Sequence, residues 1–333
     1  MIIQPPSTLL AGASGSGKTS SIATQLKYGL KVFVVVTEPD GVSSLIDACE
    51  RLKLPIDNLH WAQCFPAAAG WMELEQMVNN ISLMDQKQLA DQRDMGKRAF
   101  HAPAIKFLRA FSNFKCDRTG KEFGDFTKWD DTCSLNVDSL TGWCTIGFGC
   151  TVGFKPTANP GEWGIAQNFV YNMLVKINSD RRCFFTLTSH VEKEMDDMTG
   201  VRRVMVSATG SKLAPKIPKF FGDFIKCERR MIVSQSGAKA EFVWSTLDQQ
   251  MELKNRALPI SDRLPADFGP IVDAYRRRLR AAQLDAGSLG LTTPQFKTPE
   301  SDGAKQPPAP QPEATVVRLP AAPITPQTGG VKE

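Results

Sequence analysis

Eight consecutive residues constrain the fold of this chain more tightly than any other feature. Gly12-Ala13-Ser14-Gly15-Ser16-Gly17-Lys18-Thr19 matches G-x-x-x-x-G-K-[ST] in full. Glycines at those places let successive backbone N–H groups turn inward around a polyphosphate, and a helix starting there adds the positive end of its dipole. The octet carries that meaning only between an apolar strand and a helix. Its flanks agree: Ser7-Thr8-Leu9-Leu10-Ala11 reads as a strand, and a helix is expected from about Lys18 to Tyr28. Such a unit belongs in a mostly parallel sheet with helical crossovers, so the octet bears on fold class as well as on ligand. Lys18 is expected to reach the β- and γ-phosphates of a nucleoside triphosphate, with the Thr19 hydroxyl a ligand of Mg²⁺ and Ser20 completing the phosphate site.

The following residues continue the alternation of strands and helices. Lys31-Val32-Phe33-Val34-Val35-Val36 is a nearly continuous apolar run, as a strand buried on both faces should be. A helix is expected over Gly41–Leu52 and a short strand at Leu59–Ala62. Residues 66–131 are too long for an ordinary crossover and read as an insertion, helical and charged to about residue 115 and loop-like beyond. Cys133–Val137 is the next strand. Ile165, Phe169, Met173 and Ile177 recur every four residues as the inner stripe of a helix, and Cys183–Thr188 follows as a strand. Asp223–Val233 and Ala240–Ser245 form a β-hairpin about Ser236-Gly237.

Composition decides where the folded part ends. With 42% hydrophobic and 23% charged residues most of the 333-residue chain can bury a core. From Pro294 to Glu333, however, stand nine of its 22 prolines with almost no aromatic residue, so residues 284–333 are expected to be a disordered tail and 1–283 one α/β domain. No apolar run approaches the ~18 residues of a membrane-spanning helix. Without a secretory leader at Met1–Pro6 the expected compartment is the cytoplasm, and the eight cysteines are expected as thiols. His60 and His101 are expected to be structural or exposed, and Trp61, Trp71, Trp129 and Trp143 to be packing residues.

Two acids complete the phosphate chemistry. Asp138, in Leu135-Asn136-Val137-Asp138-Ser139-Leu140, ends a strand and is the candidate second Mg²⁺ position, although Cys133, Ser134 and Asn136 make that strand unusually polar; an ordinary Asp-Ser turn is the alternative. Glu38 follows the 31–36 strand directly, twenty residues after Lys18, and should emerge on the strand rim where ligands of open α/β sheets bind. A carboxylate there can orient and deprotonate a water that attacks the γ-phosphate. Asp40 is its reserve, and Glu-Pro-Asp-Gly is also strong turn chemistry.

With these motifs in that order, and a later strand ending in Ser189-His190, the chain resembles the RecA-like ATPase core of the AAA/RecA superfamily. The stretches Cys116-Asp117-Arg118-Thr119-Gly120-Lys121, Trp163-Gly164-Ile165-Ala166-Gln167 and Ser189-His190-Val191-Glu192-Lys193-Glu194 are more narrowly similar to phage-encoded RecA-like ATPases, some of which anneal single strands in recombination. The resemblance covers about residues 1–275. It implies a P-loop NTPase fold, ATP and Mg²⁺ as cofactors, Ser189 and His190 as γ-phosphate sensors, and Lys212 reaching a neighbouring subunit's ATP. It also implies a homo-oligomeric ring or filament in the host cytoplasm, single-stranded DNA as substrate, and a single-strand binding protein as a further partner. His190 stands where RecA itself has a glutamine.

Charge points to a local surface for DNA. The whole chain carries +5, whereas residues 200–230 hold eight basic residues (Arg202, Arg203, Lys212, Lys216, Lys219, Lys226, Arg229, Arg230) against Asp223 and Glu228, or +6. Such a concentration suits a phosphate backbone, with Phe220 or Phe221 available to stack on a base. Arg202, Arg203, Lys216 and Lys219 are the DNA candidates; a solvated hairpin with core phenylalanines is the alternative. Arg276–Arg280 reads as the solvated end of the last helix. Against an ATPase stand three rivals: an annealing protein for which nucleotide is a regulatory ligand, a helicase-loading or packaging motor, and a small-molecule kinase.

Overall fold

In a computed structural model, residues 3–91, 97–155, 157–195, 202–210, 212–234 and 237–288 are described. Strand β1 (Ser7–Ala11) is buried along its whole length because it lies between two parallel neighbours. The glycine-rich loop leads from it into α1 (Lys18–Ala23), which tightens to a 3₁₀ turn over Thr24–Tyr28 and stops at Gly29 with φ +77°. β2 (Lys31–Val36), α2 (Gly41–Leu52) and β3 (Leu59–Gln63) follow as the apolar pattern predicts. Beyond the insertion come β4 (Cys133–Asp138), β5 (Phe184–Ser189), β8 (Asp223–Ser234), β9 (Gly237–Ser245) and a two-residue β10 (Leu264–Pro265).

These strands form one eight-stranded sheet in the order β10-β9-β8-β1-β5-β4-β2-β3. The six from β8 to β3 are parallel, whereas β8 with β9 and β9 with β10 pair antiparallel. β6 (Val191–Met195) and β7 (Arg202–Val206) make a separate two-stranded ribbon directly after β5. The fold class is therefore α/β with a large, mostly parallel sheet.

Helices cover both faces. Along β2 the side chains alternate, so Val32, Val34 and Val36 pack with Ile22, Leu45, Ala48 and Cys49 of α1 and α2. Val272 and Tyr275 of α8 (Gly269–Ser288) join that layer. Phe33 and Val35 face the other side, where α5 (Lys97–Ser112), α6 (Leu140–Val152) and α7 (Pro160–Asp180) supply Phe107, Phe111, Trp143, Ile146, Val170 and Leu174. The expected inner stripe of α7 holds at Ile177 and is shifted by one residue at its other three positions. Ala166, Val170, Leu174 and Ile177 are buried, Phe169 and Met173 are partly buried, and Ile165 is 62% exposed.

The insertion is helical as expected, with α3 (Trp71–Leu83), α4 (Gln86–Asp91) and α5, and then a tight turn bridging Lys115 and Glu122. Trp71 corrects the expectation of a packing role: it is 88% exposed, while Trp61, Trp129 and Trp143 are buried. α8 runs to Ser288, five residues past the expected end of the domain, and the remainder of the proposed tail lies outside the described residues. All eight cysteines are free. Among the described residues no helix is long and apolar enough to cross a membrane.

Candidate functional site at the strand rim

The parallel sheet brings the ends of β1, β2, β4 and β5 to one rim, which explains how residues far apart in sequence meet. The loop after β1 is held from both sides. Gly12 N–H donates to the Ser189 carbonyl at the end of β5, 3.1 Å away, and a Cβ at Gly12 would stand 2.3 Å from the Cys227 carbonyl oxygen of β8. Gly17 takes φ +86°, a conformation that L side chains rarely adopt, and a Cβ there would meet the Phe242 ring at 2.7 Å. Only glycine fits either position without moving its neighbours.

Lys18 is the first residue of α1 and is only 6% exposed. Its Nζ donates to the carbonyls of Gly12 and Ala13, each at 2.9 Å, so the ammonium sits inside the loop. Burial lowers its pKa from the usual lysine value, an effect opposed by Cys227, Asp138 and Glu38. The Ser16 hydroxyl is buried in the same loop without a hydrogen-bond partner. α1 has no side-chain cap, because its N-cap is Gly17. The loop thus combines an unmatched hydroxyl, uncapped helix N–H groups and a buried cation, a donor set that fits a phosphate group.

Asp138 ends β4 and is 2% exposed. Its Oδ2 accepts from Thr19 Oγ1 at 2.8 Å, and its Oδ1 accepts from the Thr188 hydroxyl. Burial raises its pKa, and the two hydroxyls only partly counter this. The polar character of β4 has a structural cause that the sequence did not disclose. Asn136 donates to the carbonyls of Phe33 and Ser134 and to Ser134 Oγ, and its Oδ1 accepts from Gln25 Nε2 at 3.0 Å. Gln25 also donates to Thr186 Oγ1 of β5. The strand is buried on both faces after all, with its polar side chains satisfied by one another, by the Phe33 carbonyl of β2 and by Gln25 of the 3₁₀ turn after α1.

Glu38 stands one residue past Thr37, which clamps the Asp138–Ser139 turn. Ser139 N–H donates to Thr37 Oγ1 at 2.7 Å, Thr37 Oγ1 donates to the Ser139 carbonyl at 2.9 Å, and the Asp138–Ser139 peptide is cis. The Glu38 carboxylate accepts from the Ser139 hydroxyl and lies 3.1 and 3.3 Å from His190 Nε2. The hydrogen bond from His190 lowers its pKa, partly against burial, and Ser139 adds to the lowering. Glu38 is therefore held ionised beside Lys18 and Asp138. Asp40 is exposed at the N-cap of α2 and makes no side-chain bond to this cluster.

The remaining candidates sit apart from that cluster. The Ser189 hydroxyl donates to the His190 carbonyl, so it is the Ser189 main chain that braces the loop. Lys212 is exposed on the turn before the 3₁₀ segment Ala214–Lys216. Arg203 is exposed on β7 opposite Glu194, and the Arg202 side chain lies outside the described residues. Lys216 is exposed; Lys219 donates to Tyr171 Oη at 2.8 Å and lies over the Tyr171 and Phe220 rings. Of the two residues offered to stack on a base, Phe221 is corrected to core, 2% exposed against Phe185, while the partly exposed Phe220 packs edge-on to Tyr171. Lys226 and Arg230 are neutralised by Glu228, Asp248 and Asp262, which reduces the free charge of the basic segment.

Thr37, Ser139 and Thr188 are site residues that sequence reasoning missed; Thr37 and Ser139 adjoin Glu38 and Asp138 and Thr188 precedes Ser189, but hydroxyl residues beside strand ends carry no distinguishing pattern. Among the described residues no group of three or more His, Cys, Asp or Glu side chains could hold a metal by itself. Thr19 and Asp138 offer the sparse protein ligation typical of Mg²⁺, which takes its other ligands from water and phosphate. No protein-family model matches the sequence, and no curated protein is significantly similar to it.

Proposed function

We propose that this protein is a RecA-like P-loop ATPase that acts on single-stranded DNA. The observation that carries the nucleotide part is the convergence of Lys18, Thr19, Asp138 and Glu38 at one rim of a parallel sheet, behind a loop whose Gly12 and Gly17 admit no side chain. The strand arrangement, with β1 beside β5 and then β4 and β2, is compatible with the RecA-like fold. In this reading the backbone of residues 13–19 and Lys18 hold the triphosphate, and Thr19 and Asp138 hold Mg²⁺. ATP supplies the phosphoanhydride bond that water cleaves.

The residues of the chain then divide the work. Glu38, ionised through its bonds to His190 and Ser139, accepts the proton of the attacking water. Lys18 exchanges its two carbonyl partners for phosphate oxygens and balances charge on the transferred group. Thr37 and Thr188 keep Ser139 and Asp138 in place as positioning residues. His190 joins Glu38 to β6, so whatever moves the β6–β7 ribbon also bears on the base. A lysine such as Lys212 from a neighbouring copy completes the charge.

The DNA part rests on the resemblance to phage-encoded RecA-like proteins together with exposed Arg203, Lys216 and Lys219. Phosphate release is to be followed with and without single-stranded DNA, using Lys18→Ala and Glu38→Gln. DNA-stimulated hydrolysis that disappears in both variants is expected. A rate equal to that of Lys18→Ala would refute the ATPase, and annealing that survives in Glu38→Gln without turnover would favour a regulatory nucleotide.

A further inference from the structure

A cavity of about 450 Å³ lies between α1, the end of α2, β9 and β10, a volume within the range of small-molecule sites. Gly17 and Ser20 are among its walls, so it adjoins the glycine-rich loop. Its one aromatic wall is Phe242 of β9, a partly exposed ring that abuts Gly17. Arg51, on the last turn of α2, places its guanidinium carbon over that ring, 5.6 Å from the centroid.

The order of the sheet decides which end of a nucleotide reaches this cavity. Asp138 ends β4 and Glu38 follows β2, both on one side of β1, whereas β9 stands on the other side, beyond β8. A loop of this kind cradles the α- and β-phosphates with its N–H groups, and its lysine takes the β- and γ-phosphates. With the γ-phosphate toward Glu38, the α-phosphate and the sugar and base beyond it are directed to the β9 side, where Ser20 and Phe242 stand.

We infer that this cavity holds the base of a purine nucleoside triphosphate, stacked on Phe242 and covered by Arg51, and that it takes adenine and guanine alike. The inference rests on the phosphate reading of the loop and adds the nucleotide class. A flat ring between two groups needs about 7 Å, two contacts of ~3.5 Å each, so Arg51, which is exposed, moves outward to admit the base. Contacts to a ring face are blind to the groups on its edge, because every base has such a face. The side chains that could read an edge are engaged elsewhere. Arg263 pairs with Glu241 at 2.8 Å and Lys27 with Asp267 at 2.7 Å. Ser21 Oγ donates to the Gly17 carbonyl, and Thr24 Oγ1 donates to the Ser21 carbonyl and accepts from Phe268 N–H. Discrimination between the two purines would require breaking one of these bonds. A pyrimidine covers less of Phe242 and is held more weakly.

The test is calorimetric titration of the full chain with the Mg²⁺ complexes of ATP, GTP, CTP and UTP, and of inorganic tripolyphosphate, which has no base. ATP and GTP are expected to bind within about threefold of each other, and CTP and UTP at least about fivefold more weakly. Phe242→Leu should weaken ATP and GTP about tenfold, narrow the gap to the pyrimidines and leave tripolyphosphate unchanged, while Phe242→Trp restores purine binding. Arg51→Ala alters an exposed side chain outside the core and should likewise weaken ATP more than tripolyphosphate. Lys18→Ala should abolish all five. Tripolyphosphate binding that needs Lys18, together with a tenfold preference for ATP over GTP or with equal ATP affinity in Phe242→Leu, would overturn this inference and leave the phosphate reading standing. No binding of ATP or tripolyphosphate to wild type would overturn both.

Discussion

Asn136 offers the clearest test of why β4 is polar. It is fully buried, as is Ser134, and Gln25 and Thr186 are 1% exposed. Asn136→Leu keeps the volume but removes two N–H donors, shared among the Phe33 carbonyl and the Ser134 carbonyl and hydroxyl, and the bond accepted from Gln25. Each bond is worth about 1 kcal/mol net, and a buried donor left unmet costs about 1–3 kcal/mol. The Gln25 amide would keep only Thr186, so a loss of about 3 kcal/mol is expected. Gln25→Leu should cost less, about 1–2 kcal/mol, because Gln25 Oε1 already lacks a partner and leaves with the side chain. The double variant should fall short of the sum by about 1–2 kcal/mol, since both changes remove the same bond. Urea unfolding with an unchanged slope measures all three. Strict additivity, or Asn136→Leu within about 0.5 kcal/mol of wild type, would show that the network does not hold the 3₁₀ turn after α1 to β4.

Three further outcomes follow from the site. Gly17→Ala combines a positive φ, costing about 1–2 kcal/mol, with a clash against Phe242; Phe242→Leu should recover part of the loss in thermal unfolding. Asp138 has a folded pKa raised above its ordinary 3.8, so within that window the folded state holds a proton that the unfolded chain has released, and stability falls as pH rises through it. Asp138→Asn should therefore melt higher than wild type at neutral pH without Mg-ATP, with a flatter pH profile; a lower melting point would contradict the burial argument. Lys216→Glu and Arg203→Glu should weaken single-stranded DNA binding and reduce its salt slope by about 0.7 for each phosphate no longer neutralised, and an unchanged slope would remove those residues from the DNA surface.

Much of the architecture at the strand rim was legible because its signals are local. The octet, the 31–36 run and the turn at Glu38 announce two strand ends, and a parallel sheet has few ways to place them. α6 was not legible, since it is apolar nearly all round and interrupted by Gly142, Gly147 and Gly149, which hides any helical period. The α7 stripe was misplaced by one residue at three of its four positions because two adjacent four-residue series are both largely apolar, and only packing against α6 and the sheet selects one. Ser134 and Asn136 looked like defects because their partner Gln25 is 111 residues from Asn136 in sequence. Trp71 shows the converse: large apolar side chains are read as core by default, and the one on α3 is exposed.

The central claim is that the loop from Gly12 to Thr19 holds the phosphates of Mg-ATP with Lys18 at its centre. Calorimetric titration of the full chain with Mg-ATP tests it without requiring turnover, DNA or assembly. Saturable binding to wild type that is abolished in Lys18→Ala, at unchanged fold, is the expected result; no binding to wild type, or equal affinity in Lys18→Ala, would contradict it.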